Sequence, residues 1–128
     1  MRFLKKLFRR GEDEVEDAPV TVDVARRRPQ LLRLEQAADA LANDMRSHQS
    51  MDNPGWRGRV NEYSNIAGAA MQLRRGEMTR EAVLDLVFEA RPVFSGEIPA
   101  GLESIAPLQD ELMAAANDLR ELLPGERP

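Results

Sequence analysis

The side chains that most often carry catalysis or bind metal ions are scarce in this sequence. Its 128 residues include no cysteine and one histidine, His48, which excludes thiol catalysis, thiolate metal sites and sites that need two histidines. Carboxylates four residues apart occur as Glu35 with Asp39 and as Glu81 with Asp85. Neither pair has the histidine of a di-metal carboxylate motif, so we interpret both as solvated helix faces. We expect no enzyme activity, no cofactor and no metal site.

The first ten residues have the most specific pattern in the sequence. Four apolar side chains share one face of a predicted helix: Phe3, Leu4, Leu7 and Phe8. Five cations occupy the rest of that helix: Arg2, Lys5, Lys6, Arg9 and Arg10. This pattern is typical of a short interfacial helix, which buries apolar side chains among lipid tails and presents cations to anionic headgroups. Residues 1–10 are therefore predicted to contact an anionic membrane surface.

The expected membrane attachment is weak and reversible. Each cation near an anionic leaflet contributes about 1 kcal/mol, whereas ordering the backbone of so short a helix costs roughly 1–2 kcal/mol per residue. Firm attachment would need a homo-oligomer, because each subunit would add one more copy of residues 1–10 to the membrane contact. Two alternatives stay open for residues 1–10. In the first, their apolar side chains dock on a protein surface, either the folded part of this chain or a groove of a protein partner. In the second, the segment is disordered.

The charges of the chain are strongly segregated. Residues 11–19 carry five acids and no base, directly after the five cations of residues 1–10. From Pro29 onward the chain has 10 basic and 16 acidic residues, within a formal net charge of −4. We interpret residues 11–19 as a solvated spacer, and an electrostatic clasp for the basic residues is the alternative.

A second basic cluster follows the acidic run. Arg26, Arg27 and Arg28 are adjacent and are candidates for a secondary contact with a partner. They would also supply phosphate and stacking contacts to a nucleic acid, together with six further candidates: Arg57, Arg59, Arg74, Arg75, Trp56 and Tyr63. Because the body is acidic and has no groove-reading motif, nucleic-acid binding is disfavoured.

The first half of the body predicts two amphipathic helices. Apolar residues spaced three and four apart predict a helix of about 18 residues that starts with Pro29 as its first residue and ends at His48, interpreted as a packed helix-end residue. Residues 52–55, Asp-Asn-Pro-Gly, predict a turn with proline and glycine at its centre. A second helix is predicted over residues 56–75, with Trp56 anchoring the turn on the core and Gly76 ending the helix.

The second half predicts two more helices. Thr79 is the predicted N-cap of the third helix. Its buried face is predicted from four apolar residues: Val83, Leu84, Val87 and Phe88. After a connection over residues 92–101, the last apolar pattern runs from Ile105 to Leu122, with Pro107 in its first turn and residues 124–125 closing it.

Four helices with short connections and no credible sheet predict an all-α fold, an antiparallel bundle of about four helices preceded by a flexible N-terminal arm. The alternation of Val20, Val22 and Val24 is interpreted as an extended tether, and a strand that adds to the sheet edge of a partner is the alternative. The predicted segments are the basic amphipathic residues 1–10, the acidic and extended linker 11–28, the bundle 29–124 and the tail 125–128.

These patterns favour a non-catalytic helical interaction or adaptor protein, tethered reversibly to an anionic membrane surface or to an assembly by residues 1–10. The alternative is a soluble accessory subunit whose arm docks on a protein partner. No segment has the ~18 consecutive apolar residues of a membrane span, and the basic start lacks the apolar segment of a signal peptide. We expect a cytoplasmic protein, peripheral at the inner face of the membrane. The small residues between Ser64 and Ala70 favour internal packing. The alternatives are self-association through a close-packed face and a helical groove that receives a partner's helix.

Overall fold

A computed structural model describes residues 21–48 and 52–127 of the chain. This part contains four α-helices and no strand: α1 (Val24–Arg46), α2 (Pro54–Arg75), α3 (Arg80–Glu89) and α4 (Ile105–Arg120). The predicted all-α class and the number of helices are confirmed. Residues 1–20, with the whole basic segment and most of the predicted linker, lie outside the described residues.

The long helix α1 is the centre of the bundle and packs against both α2 and α4. Its predicted apolar stripe is confirmed, since Leu34, Leu41 and Met45 are fully buried. From α2, Ala67 and Ala70 lie in the same core, so internal packing is confirmed for these two small residues, whereas Gly68 and Ala69 are only partly buried. The short helix α3 packs less extensively, with contacts to α2 and α4.

The start of α1 differs from the prediction. The helix begins at Val24 and not at Pro29, because the side chain of Asp23 accepts a hydrogen bond from the backbone N–H of Arg26 at 3.3 Å and caps an earlier turn. Pro29 then lies inside the helix, where it removes one backbone hydrogen bond. The extended tether predicted from the valine alternation therefore does not reach Val24.

The connection into α2 also differs from the prediction. Asn53 accepts hydrogen bonds from the backbone N–H groups of Gly55 at 2.8 Å and Trp56 at 3.3 Å, so it is the N-cap of α2. Pro54 is the first helical residue, a position where its missing N–H is harmless. The two residues predicted as the centre of a turn are thus helical. The indole N–H of Trp56 donates to the carbonyl of Met45 at 3.1 Å, which confirms that this side chain anchors the connection.

Helix α3 confirms one prediction and corrects another. Its N-cap is Thr79, whose hydroxyl accepts a hydrogen bond from the backbone N–H of Ala82 at 3.1 Å. Its buried face consists of Val83, Leu86 and Val87, and the predicted core residue Phe88 is 70% exposed. The reason is geometric. Val83, Leu86 and Val87 occupy positions i, i+3 and i+4, which share one face of a helix, and Phe88 at i+5 lies beyond the edge of that face.

The end of the chain folds back on the bundle. Helix α4 stops at Arg120, so Leu122, predicted as its last apolar position, lies beyond the helix and is 44% exposed. The backbone then turns through Gly125, whose φ of 93° suits a residue without a Cβ. This turn returns Glu126, predicted as tail, to the start of α1.

Candidate functional site

The predicted basic cluster does not form one surface. Arg26 is exposed beside Asp23, and Arg28 donates to the carbonyl of Arg74 at 3.2 Å. Arg27 points inward and forms an ion pair with Glu126, with Nη2 to Oε1 at 2.5 Å and Nε to Oε2 at 2.7 Å. The two side chains are 5% and 3% exposed. The structure therefore separates the three arginines and places only two of them at the surface.

The Arg27–Glu126 pair is a clamp between the start of α1 and the end of the chain. The guanidinium of Arg27 also donates to the carbonyls of Leu119 at 2.5 Å and Glu121 at 2.8 Å. Burial raises the pKa of Glu126, but hydrogen bonds from Arg27 and two backbone N–H groups outweigh burial and hold that pKa below its ordinary value. With these hydrogen bonds, the clamp joins the start of α1 to the end of the chain, and the charges of both side chains are compensated within the fold.

The lone histidine lies in a polar contact at one end of the bundle. Asp44 Oδ2 lies 3.4 Å from His48 Nε2 and accepts a hydrogen bond from the Ser104 hydroxyl at 2.7 Å. The serine donates to the carboxylate and lies 3.5 Å from the same imidazole nitrogen. A nucleophilic triad needs the histidine between the serine and the acid. This arrangement has the acid in the middle and therefore ties the end of α1 to the start of α4.

The residues named for nucleic-acid stacking are engaged in the core. Tyr63 is fully buried, and its hydroxyl donates to the carbonyl of Arg91 at 2.6 Å. Trp56 is held by its bond to Met45. Within residues 21–48 and 52–127, no group of three or more histidine, cysteine or acidic side chains is placed to hold a metal ion. The same residues include no helix that is long and apolar enough to cross a membrane.

A shallow groove between α2 and α3 is a candidate binding surface. Its apolar floor is formed by Ala69 and Leu73 of α2 with Ala82 and Leu86 of α3. Three acids line its rim: Glu77, Asp85 and Glu89. We call this floor and rim the acidic groove. Small alanine side chains on both helices leave the floor unfilled, so the groove stays open to solvent.

The acidic groove continues towards an exposed aromatic side chain. Glu89 also lines the adjoining concave surface, where Phe88 lies beside Glu62 and Ile66. At 70% exposure, Phe88 is the most exposed of the large apolar side chains in the described part of the chain. The guanidinium of Arg120 lies 5.7 Å from the centre of its ring. Phe88 thus adds exposed apolar surface at the end of the acidic groove.

The acids of the groove differ from several acids elsewhere on the bundle, which form ion pairs. On the α1–α4 side, Arg33 forms ion pairs with both Glu111 and Asp118. Glu35 pairs with Arg74 at 2.8 Å. No described basic side chain forms an ion pair with the three rim acids. Their negative charge is therefore available to a basic ligand.

Sequence reasoning gave a helix-binding groove along residues 64–70 only as an alternative, and it did not include the acids of the rim, although a signal for them was present. Four acids recur at every fourth position: Glu77, Glu81, Asp85 and Glu89. This spacing predicts an acidic stripe along one side of α3. The predicted partner-binding residues Arg2 to Arg10 lie outside the described residues, so the structure does not place them. No family model, curated protein or solved structure matches the chain at a significant level.

Proposed function

We propose that the chain is a non-catalytic helical interaction protein whose acidic groove binds a basic amphipathic helix. The observation that supports this function is an open groove whose floor, between Leu73 and Leu86, is apolar and whose acidic rim has no ion-pair partner among the described basic side chains. Grooves of this composition accept the apolar face of a helix and leave its polar face outside. The cations flanking that apolar face would then meet the rim.

The apolar part of the surface supplies most of the binding free energy. Phe88 is 70% exposed, and full burial of a phenylalanine side chain contributes about 1.5–3 kcal/mol. Aromatic side chains are also enriched among the residues that dominate binding at protein interfaces. A helix lying along α3 would cover Phe88 and the floor of the acidic groove together.

The acidic rim selects the charge of the partner. Exposed ion pairs contribute only about 0.2–1 kcal/mol each, so three rim acids do not produce tight binding by themselves. They accelerate association with a cationic partner and disfavour an anionic one. The proposed binding is therefore specific for a basic helix and weakens as salt is added.

The second candidate function is reversible attachment to an anionic membrane surface through residues 1–10. The separation of four apolar residues from five cations in this segment supports it. In that case the protein would be a peripheral adaptor at the inner face of the membrane. The arm would supply the attachment and the acidic groove would bind the protein partner.

A synthetic helical peptide tests the groove without knowledge of the natural partner. The probe is an amidated leucine–lysine peptide of about 14 residues, near the length at which an isolated helix becomes marginally stable. The protein is the full chain with Phe3→Glu and Leu7→Glu, the arm variant, so that its own amphipathic segment does not compete. We expect the amide NMR signals of the groove, such as those of Ala69 and Leu86, to shift during the titration.

Two charge-matched variants make the titration decisive. The groove variant carries Asp85→Lys and Glu89→Lys, and the control variant carries Asp39→Lys and Asp110→Lys, which change two exposed acids of α1 and α4. Both alter the net charge by the same amount. We expect the peptide to shift groove signals in the control variant and to leave them unchanged in the groove variant. Shifts spread evenly over the bundle would contradict the proposed function.

A further inference from the structure

We propose that the acidic groove is occupied by residues 1–10 of the same chain. This inference rests on the proposed function of the groove and names the helix that fills it. The segment would close the groove to other helices and hide its own apolar face from lipid. The chain would thus carry an internal competitor for both of its binding partners.

The composition of residues 1–10 complements the groove. The segment carries five cations and no acid, while the rim presents Glu77, Asp85 and Glu89 without a described ion-pair partner. Its four apolar side chains share one helical face, and the floor of the groove is apolar. Both the charge and the apolar pattern of the segment therefore match this surface.

The dimensions of the segment fit the groove as well. A ten-residue helix is about 15 Å long, and α3, which forms one wall, also has 10 residues. Residues 1–10 in helical form would therefore lie along the whole of α3. Their apolar face would extend from the groove floor to Phe88.

The point at which the arm joins the bundle lies beside α3. Val22 lines a small cavity together with Arg80, Val83 and Leu84, which belong to the first turns of α3. Residues 11–20 span at most about 33–36 Å when extended, whereas α3 is about 10–12 Å across with its side chains. The arm can therefore cross α3 and reach the groove with α1 intact.

The acidic spacer does not replace the groove as a partner. Residues 11–19 offer negative charge to the cations but no apolar surface for Phe3, Leu4, Leu7 and Phe8.

A short tether gives an effective concentration in the millimolar range. A contact too weak to matter between separate molecules is therefore well populated within one chain.

Paramagnetic relaxation tests this occupancy in the full-length protein. The chain has no cysteine, so Gly11→Cys introduces one thiol for a nitroxide label directly after the segment. We expect amide signals of Ala69 and Leu86 in the groove to lose at least half of their intensity. Signals of Arg33 and Glu111 on the α1–α4 side should keep theirs.

Three variants define the result. The groove variant and the arm variant should both abolish the intensity loss, because one removes the acidic rim and the other the apolar face of the segment. The control variant should retain the loss. Equal intensity losses in the groove and control variants would overturn the inference. So would an equal loss in a mixture where the label and the isotope are on different molecules, because the contact would then join two chains.

The peptide titration separates failure of this inference from failure of the proposed function. If the leucine–lysine peptide binds the groove of the arm variant but the label leaves groove signals unchanged, the inference is overturned and the proposed function stands. If the peptide does not bind the groove either, both are overturned. If both are right, the full chain with its natural arm binds the peptide at least about threefold more weakly than the arm variant does.

Discussion

The Arg27–Glu126 clamp and the acidic groove use the same kinds of charged side chain in opposite ways. In the clamp, the two charges are almost completely buried and hold one another at 2.5 Å. In the groove, three acids stand exposed along an apolar floor with no described basic partner. A buried ion pair holds two parts of the chain together and is costly to break on one side, whereas an exposed acid beside apolar surface is accessible to another molecule.

The largest expected effect comes from breaking the clamp on one side. Arg27→Ala leaves the carboxylate of Glu126 buried without its partner, a change that typically destabilises a protein by 3–5 kcal/mol. Urea unfolding followed by circular dichroism measures this loss. Arg26→Ala is the control, since that side chain is 60% exposed, and it should change the free energy of unfolding by less than about 0.5 kcal/mol. Equal effects of the two substitutions would contradict the role of the clamp.

Acidification tests the other half of the clamp. The pKa of Glu126 is below its ordinary value in the folded protein, so its contribution to stability is complete above the unfolded-state pKa and is lost as the pH falls through the folded-state pKa. Glu126→Gln should reduce the free energy of unfolding at neutral pH by roughly 1.5–3 kcal/mol. The difference in the free energy of unfolding between Glu126→Gln and the natural chain should shrink as the pH falls below about 4, the ordinary pKa of a glutamate side chain. A difference that is independent of pH would contradict this account.

Substitution of the exposed Phe88 should affect binding more than stability, the reverse of what we expect for the clamp. Phe88→Ala removes a contact with Arg120 at 5.7 Å, for which an exposed cation–π pair supplies about 0.5–1 kcal/mol. We expect little loss of stability but a loss of peptide affinity of at least about tenfold, or 1.4 kcal/mol. Leu86→Ala is the contrast, because that side chain is buried and its loss should destabilise the fold by about 2–5 kcal/mol. A Phe88→Ala protein that is unstable but binds normally would contradict the assignment.

The sequence patterns predicted those parts of the molecule that depend on near neighbours. The four helices, the cap at Thr79 and the apolar stripe of α1 all follow from spacings of three or four residues. The clamp did not follow, because Arg27 and Glu126 lie 99 residues apart and an arginine between two others gives no sign of burial. The start of α1 was missed because Asp23 caps a turn that Pro29 was expected to exclude.

The candidate surface was only partly predictable for a related reason. The fourfold spacing of acids along α3 can be seen in the sequence, but which face of a ten-residue helix is covered depends on how it packs against α2 and α4. Phe88 extended the apolar pattern of α3 by one position, so pattern alone placed it in the core. Its exposure follows from the packing of Val83, Leu86 and Val87.

The smallest expected effect is on membrane attachment. It compares proteins in which residues 1–10 are held in the acidic groove with proteins in which they are released from it. Vesicles of phosphatidylcholine with phosphatidylserine should sediment more of the groove variant than of the control variant, by about threefold. Both variants have the same added charge, so the difference reports release of residues 1–10 from the groove. Phe3→Glu with Leu7→Glu should reduce sedimentation of either protein to background. Equal sedimentation of the groove and control variants would mean that the groove does not restrain the arm.

The affinity of the leucine–lysine peptide for the two charge-matched proteins tests the central claim most directly. Isothermal titration in the arm-variant background measures the dissociation constant for the Asp85→Lys, Glu89→Lys protein and for the Asp39→Lys, Asp110→Lys protein. A functional acidic groove predicts binding at least about tenfold weaker for the first, a difference of 1.4 kcal/mol. Equal dissociation constants would show that the peptide responds only to net charge and would contradict a binding role for the groove between α2 and α3.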